Sequence, residues 1–167
     1  MPIPNWALLL SFWLHMMATV VWVGGLAALA LFVLPALRRT LKPNEFATWL
    51  TALNKRWDPL GWFCLGLLTF TGLIQMDANP SYIGLLAVTN PWSQAIFLKH
   101  ITFAGMIAVS AYSTWVIAPS LQRAAISRTR GKGTANNRTL GSLQSLIQIN
   151  FFLGILILVF TALARIN

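Results

Sequence analysis

Two histidines lie inside long apolar stretches of the chain, and they are the side chains with the clearest metal chemistry. His15 lies in SFWLHMMATVVWVGG and His100 in IFLKHITFAG, and the sequence contains no other histidine. Neutral imidazole is a good ligand for iron and copper, and polar groups in apolar spans are costly enough to suggest function. A metal or cofactor site is therefore the first hypothesis. The alternative is packing, with each imidazole bonded to a hydroxyl or carbonyl of a neighbouring helix.

The composition indicates that the elements carrying these histidines are membrane spans. Hydrophobic residues make up 57% of the 167 residues and charged residues only 9%, with a mean hydropathy of +0.68. Crossing a hydrocarbon core of ~30 Å takes about 20 apolar residues, and four runs reach that length, at 6–37, 57–76, 93–118 and 140–165. The leader MPIPN has no basic residue, so the first run is interpreted as a retained span rather than a secretion signal. We predict an all-α, polytopic four-helix bundle forming a single domain over 1–167.

Basic residues indicate the orientation of this bundle. Ten of the twelve lysines and arginines lie in 38–56 and 119–139, whereas 77–92 has none. Because basic loops stay in the cytoplasm, we expect a multi-pass protein of the bacterial inner membrane with both termini outside. The lipid bilayer, with its anionic headgroups, then accounts for the net charge of +9, and no nucleic-acid partner is expected.

The connections between the spans carry their own patterns. Apolar residues from Phe46 to Leu53 follow helical spacing and predict a short helix lying in the inner interface. The polar stretch 127–138 predicts a flexible cytoplasmic linker. The segment 80–92 is too short to span and is interpreted as a cap on the outer face.

The two halves of the chain resemble each other. VLPALRR at 33–39 matches IAPSLQR at 117–123 with an offset of 84 residues, about half the chain. Spans one and three would then be equivalent, as in parallel membrane repeats. The pattern fits a two-helix internal repeat. It also fits two unrelated membrane exits that each end in proline and basic residues.

The depths of the two histidines suggest what they could bind together. His15 lies nine residues after Trp6 and His100 seven after Ser93, which places them about 13 and 10 Å below the outer interface at 1.5 Å per residue. If spans one and three face each other across the bundle, two level imidazoles suit the axial positions of an iron porphyrin. Haem b is the natural candidate because no CxxCH motif offers covalent attachment.

Residues around the histidines would line such a ring. Small and aromatic side chains follow each histidine at helical spacing: Ala18, Trp22 and Gly25 after His15, and Phe103 and Ala104 after His100. Lys99 has three interpretations: it pairs with a haem propionate, replaces His100 as a ligand, or extends its stem outward to the interface.

Three motifs resemble a known family. His-x6-Trp-Val-Gly-Gly-Leu in the first span, Thr-Gly-Leu-Ile at the end of the second and Phe-Leu-Lys at the start of the third resemble the CopD family of bacterial membrane proteins, named for copper resistance. They also resemble its distant haem-containing relative, the HemJ-type membrane protoporphyrinogen oxidase. In that enzyme a first-span histidine and a third-span lysine form the important pair, and the resemblance carries these roles to His15 and Lys99. The flanking charged residues of that enzyme are not evident here, and His100 adds a second imidazole, which favours a bis-histidine site.

The resemblance also raises a copper ion as an alternative to haem. Cu(I) prefers thiolate and thioether ligands, which the chain offers in Met16, Met17, Met76, Met106 and Cys64. Neighbouring helix residues project ~100° apart, so Met16, Met17 and His15 cannot all face one ion. The inner half of the spans, moreover, shows no ladder of histidine, methionine or acidic residues.

The sequence therefore favours a cytochrome b with His15 and His100 as axial ligands. It would exchange electrons with a quinone or a redox protein partner rather than act on a substrate of its own. A haem at one depth does not reach across the whole membrane, so a quinone or a partner protein would have to carry electrons the rest of the way. The partner could be part of a homo-oligomer or of a larger membrane complex. A CopD-type copper permease ranks second and a protoporphyrinogen-oxidase-like enzyme third.

Overall fold

The computed structural model describes residues 3–82, 84, 88–129 and 137–166, and these residues form helices without a strand. Helix α1 is Asn5–Thr40, in which a π-helical turn, Ala28–Val33, separates Asn5–Ala27 from Leu34–Thr40. Helix α2 is Pro43–Asp77. Helix α3 consists of Pro91–Tyr112, a π-helical Ser113–Ile117 and Ala118–Thr129, and helix α4 is Asn137–Ile166.

All four helices are long and apolar enough to cross a membrane. This confirms the prediction of an all-α, four-span membrane protein. Large apolar side chains cover the outer surface of the bundle, where lipid chains replace water as their solvent: Trp6, Leu9, Met16, Val20, Phe32, Phe63, Phe70, Trp115 and Phe152.

The helices pack as two antiparallel pairs. Helix α1 packs mainly against α2 and α3 mainly against α4, while α1 with α4 and the end of α3 with α2 complete the bundle. Asn5 and Ile166 consequently lie at the same end, which we call the terminal face. The opposite end holds Arg38 and Arg39 in the last turn of α1 and Lys42 between α1 and α2, and we call it the basic face. The expectation that the basic face is cytoplasmic stays a prediction.

Helix α2 corrects one expectation from the sequence. It begins at Pro43, where the Lys42 backbone N–H donates to Glu45, and continues through Pro59 without interruption. The predicted interfacial helix does not exist as a separate element, because Phe46 and Leu50 are buried in the core rather than facing lipid. The flexible linker expected at 127–138 is helical at 127–129 and at 137–138. Residues 130–136 lie outside the described residues. The expected cap at 80–92 likewise falls partly outside them.

The two π-helical turns occupy corresponding positions in α1 and α3. Each ends two residues before a proline, Pro35 in α1 and Pro119 in α3, which lie 84 residues apart. Proline has no backbone N–H, so the preceding turn must rearrange its hydrogen bonds, and a widened turn is one way to do so. The similarity between the two halves therefore extends from the sequence motif to the backbone.

Candidate functional site

Helix α2 holds His15 on the inside of the α1–α2 pair. The Nδ1 atom of His15 lies 2.8 Å from the Thr71 hydroxyl oxygen. One turn towards the terminal face, the Ser11 hydroxyl donates to the Thr71 carbonyl at 3.2 Å, and the Gln75 amide donates to the Ser11 carbonyl at 3.1 Å. The ring also lies against Gly72, where a Cβ atom would meet His15 Cε1 at 3.5 Å. These contacts fix the position of the imidazole.

The Thr71 contact also determines which nitrogen of His15 can bind a metal. The Thr71 hydroxyl has one hydrogen, and it donates that hydrogen to the Leu67 carbonyl at 2.6 Å. The hydroxyl oxygen must therefore accept from Nδ1–H of His15. The neutral imidazole then carries its lone pair on Nε2, which is the arrangement that supporting hydrogen bonds give to metal-binding histidines.

His100 is oriented by its own helix. Its Nδ1–H donates to the Ile96 carbonyl at 2.7 Å, so its lone pair is also on Nε2. Among the described residues no hydrogen bond or ring contact joins His100 to His15. Lys99, the neighbour of His100, is partly buried.

The other residues predicted to line a haem do not form one wall. Ala18 and Trp22 are buried, and the Trp57 ring packs against Gly25 on the α2 side. By contrast, Phe103 is partly buried and Ala104 is exposed. These contacts give the haem interpretation no support, and the ligand roles of His15 and His100 stay a prediction.

A tryptophan and a methionine meet at the centre of the bundle. The Trp22 indole N–H of α1 donates to the Met106 sulfur of α3 at 3.1 Å, and the two residues are 84 positions apart. Met106 is 1% exposed, and its methyl group would lie 3.5 Å from a Cβ atom on Gly154 of α4. The pair thus occupies corresponding positions in the two halves and links them.

Side chains of the types that Cu(I) prefers lie inside the bundle at three depths. Met76 is buried towards the terminal face, His15 lies next, and Cys64 and Met106 are buried further in. At 1.5 Å per residue, the five positions between Met76 and Thr71 correspond to about 8 Å and the seven between His15 and Trp22 to about 10 Å. Met16 and Met17 are 66% and 45% exposed and face outward. Among the described residues, histidine, cysteine and acidic side chains form no group of three that could hold a metal.

The structure also brings together a polar cavity that the sequence analysis did not identify. Its volume is about 30 Å³ and it lies between all four helices. Three helices supply its polar lining: Asn54, Trp57 and Asp58 from α2, Ser110, Ser113 and Thr114 from α3, and Asn150 from α4. Asn54 and Asp58 are four residues apart and therefore share one helix face, which is the only part of this set that the sequence could have indicated.

Hydrogen bonds tie the cavity lining together. The Asn150 amide donates to the Ser110 hydroxyl at 2.9 Å, the Asn54 amide donates to the Asp58 carboxyl at 3.4 Å, and the Trp62 indole N–H donates to the Thr114 hydroxyl at 3.4 Å. Two buried atoms of the described lining have no partner: the indole N–H of Trp57 and Oδ1 of Asn150.

Comparison with known proteins identifies the family. Neither a curated protein nor a solved structure matches the chain, and no finding relates it to the protoporphyrinogen oxidase. The family model for copper resistance protein D (CopD) matches residues 51–164, which include α2 from its third turn, all of α3 and nearly all of α4. The chain is therefore a member of the CopD family.

Proposed function

We propose that this protein passes Cu(I) ions through the membrane along the interior of its four-helix bundle. The observation that carries the proposal is the series Met76, His15, Cys64 and Met106, in which buried thioether and thiol groups and a partly buried imidazole follow one another from the terminal face to the centre. These are the ligand types that a soft cation prefers. Membership in a family named for copper resistance supports the same cargo.

The spacing of these groups suits passage better than storage. Conduction requires sites that bind strongly enough to admit an ion and weakly enough to release it. A tight site would gather several donors at one point, whereas these donors are separated by steps of about 8–10 Å along the helices. Each depth offers one or two ligands, so an ion would move between weak binding positions.

Hydrogen bonds fix two of these ligands in position before an ion binds. Thr71 keeps the lone pair of His15 on Nε2, and Trp22 holds the Met106 sulfur in place at 3.1 Å. A donor already fixed in position loses less conformational freedom when it binds an ion. The neutral state of both side chains also limits the cost of placing them in an apolar bundle.

Replacing the central sulfur tests the proposal. Met106→Leu keeps the volume and apolar character of the side chain but removes the thioether ligand. We expect passage of Cu(I) into lipid vesicles containing the protein to fall at least about tenfold, the smallest effect usual for disturbing a metal site. Met16→Leu is the matched control, because Met16 is 66% exposed on the outer surface. Equal rates in the two variants would contradict the proposal.

An absorption spectrum separates this proposal from the cytochrome interpretation. Protein purified from membranes, recorded oxidised and then reduced, should show little porphyrin absorbance and should bind added Cu(I). About one iron porphyrin per chain, lost in both His15→Ala and His100→Ala, would instead support a bis-histidine cytochrome. Loss in Lys99→Ala but not in His100→Ala would indicate lysine ligation.

A further inference from the structure

We infer that the polar cavity is a hydrated proton-binding site, in which Asp58 takes up and releases a proton through internal water. This inference does not rest on copper passage. Asp58 lines the cavity together with amide and hydroxyl groups from three helices. Protonation converts its carboxylate and one proton into a neutral carboxylic acid, and the proton returns to water on release.

The volume of the cavity and its unpaired atoms point to water. A space of about 30 Å³ holds about two water molecules, since each needs roughly 10–15 Å³ by this measure. The indole N–H of Trp57 is an unpaired donor and Oδ1 of Asn150 an unpaired acceptor. Water in the cavity can accept from Trp57 and can donate to Asn150, and native proteins seldom leave such buried groups unpaired.

The charges around the cavity favour a proton over a metal cation. Asp58 contributes the cavity's one charged group, and a second carboxylate for a divalent ion is missing from the described lining. Water with a mobile proton satisfies the donor, the acceptor and the carboxyl group together.

No other titratable group lines the cavity among the described residues. Helix α1 contributes Trp22 and Leu26, helix α3 contributes hydroxyl groups, and helix α4 contributes Asn150 with two apolar side chains. On α2 itself, Lys55 and Arg56 lie nearby in sequence but are exposed. Asp58 is partly buried, an unpaired charge is costly within a membrane bundle, and carboxyl groups that line the interior of such a bundle are typical of proton relays.

Infrared spectroscopy of the full protein in lipid vesicles tests this inference, because the chain has only three acidic side chains. We expect a carboxylic acid C=O band that appears as the pH is lowered and shifts in heavy water. Asp58→Asn should remove the component of this band that comes from the cavity. Asp77→Asn is the matched control, since Asp77 lies on the same helix but is exposed, and it should leave that component intact.

A second variant keeps the test valid if Asp58→Asn does not fold. In Glu45→Gln/Asp77→Asn, Asp58 is the only acidic side chain left, so the cavity component of the pH-dependent band should persist at nearly full intensity. Trp57→Phe should keep the carboxyl band but lose the O–H stretch of an internal water. The inference is overturned if the double variant has no such band, or if exchanging K⁺ for Na⁺ at constant pH shifts it.

Discussion

Two regions of the bundle interior differ in chemistry although the same four helices build both. Towards the terminal face, His15, Cys64 and Met106 supply nitrogen and sulfur atoms that suit soft metal ions. On the other side of Trp22, the cavity around Asp58 is lined by carboxyl, amide and hydroxyl oxygens. The interior therefore offers nitrogen and sulfur atoms in one part and mainly oxygen atoms in the other.

A stack of two tryptophans separates these regions. The rings of Trp22 and Trp57 lie 5.8 Å apart and are 14° from parallel. Glycines allow this close packing, because the Trp57 ring contacts Gly25 and the Trp22 ring contacts Gly61. Trp22 belongs to both regions, since its N–H donates to Met106 and its ring lines the cavity.

The largest expected effect comes from disturbing this stack. In Gly61→Ala, the new Cβ atom would overlap the Trp22 ring, and we expect a loss of about 2–3 kcal/mol in the free energy of unfolding. Gly66→Ala on the same helix meets no atom within 4 Å and should not destabilise the protein. Thermal unfolding in detergent measures both. A Gly61→Ala variant as stable as Gly66→Ala would show that the stack is loose.

A smaller effect is expected at the cavity. Ser110→Ala removes the acceptor for the Asn150 amide, which is buried and 2.9 Å from the hydroxyl. Leaving that donor unpaired should cost about 1–2 kcal/mol. Ser113→Ala is the control, because Ser113 lines the same cavity and makes no described hydrogen bond to another helix. Ser110→Ala should unfold at a lower temperature than Ser113→Ala. Equal unfolding temperatures would mean that water replaces the lost Ser110 hydroxyl at no cost in stability.

The smallest effect on stability is expected from a change next to His15. The larger effect there should be on which ring nitrogen of His15 carries the proton. Thr71→Val removes the acceptor for Nδ1–H, at a cost of about 1 kcal/mol, and frees the imidazole to place its proton on either nitrogen. Nitrogen NMR of labelled histidine measures the tautomer directly. Thr69→Val is the control, since the Thr69 hydroxyl donates to the Leu65 carbonyl of its own helix. An unchanged His15 spectrum in Thr71→Val would contradict the role given to Thr71.

The sequence by itself determined the class of the protein and its four spans. Span length and composition are local properties, so the runs at 6–37, 57–76, 93–118 and 140–165 could be identified without knowing any contact. The same local information placed His15 and His100 within the first and third spans. The same local information gave a wrong prediction of an interfacial helix for the first turns of α2. Phe46 and Leu50 are buried in the core, and their amphipathic spacing is the same whether they face lipid or protein.

Only the tertiary structure decided what each side chain meets. Helices that are apolar on every side do not reveal from sequence which face turns inward. The contact of His15 with Thr71, rather than with His100, therefore could not be predicted. The cavity could not be predicted either, because Asn54, Ser110 and Asn150 lie on three helices and come together only where those helices pack. Depth in the membrane is a property of one segment, whereas a binding site depends on the rotation of several helices about their axes.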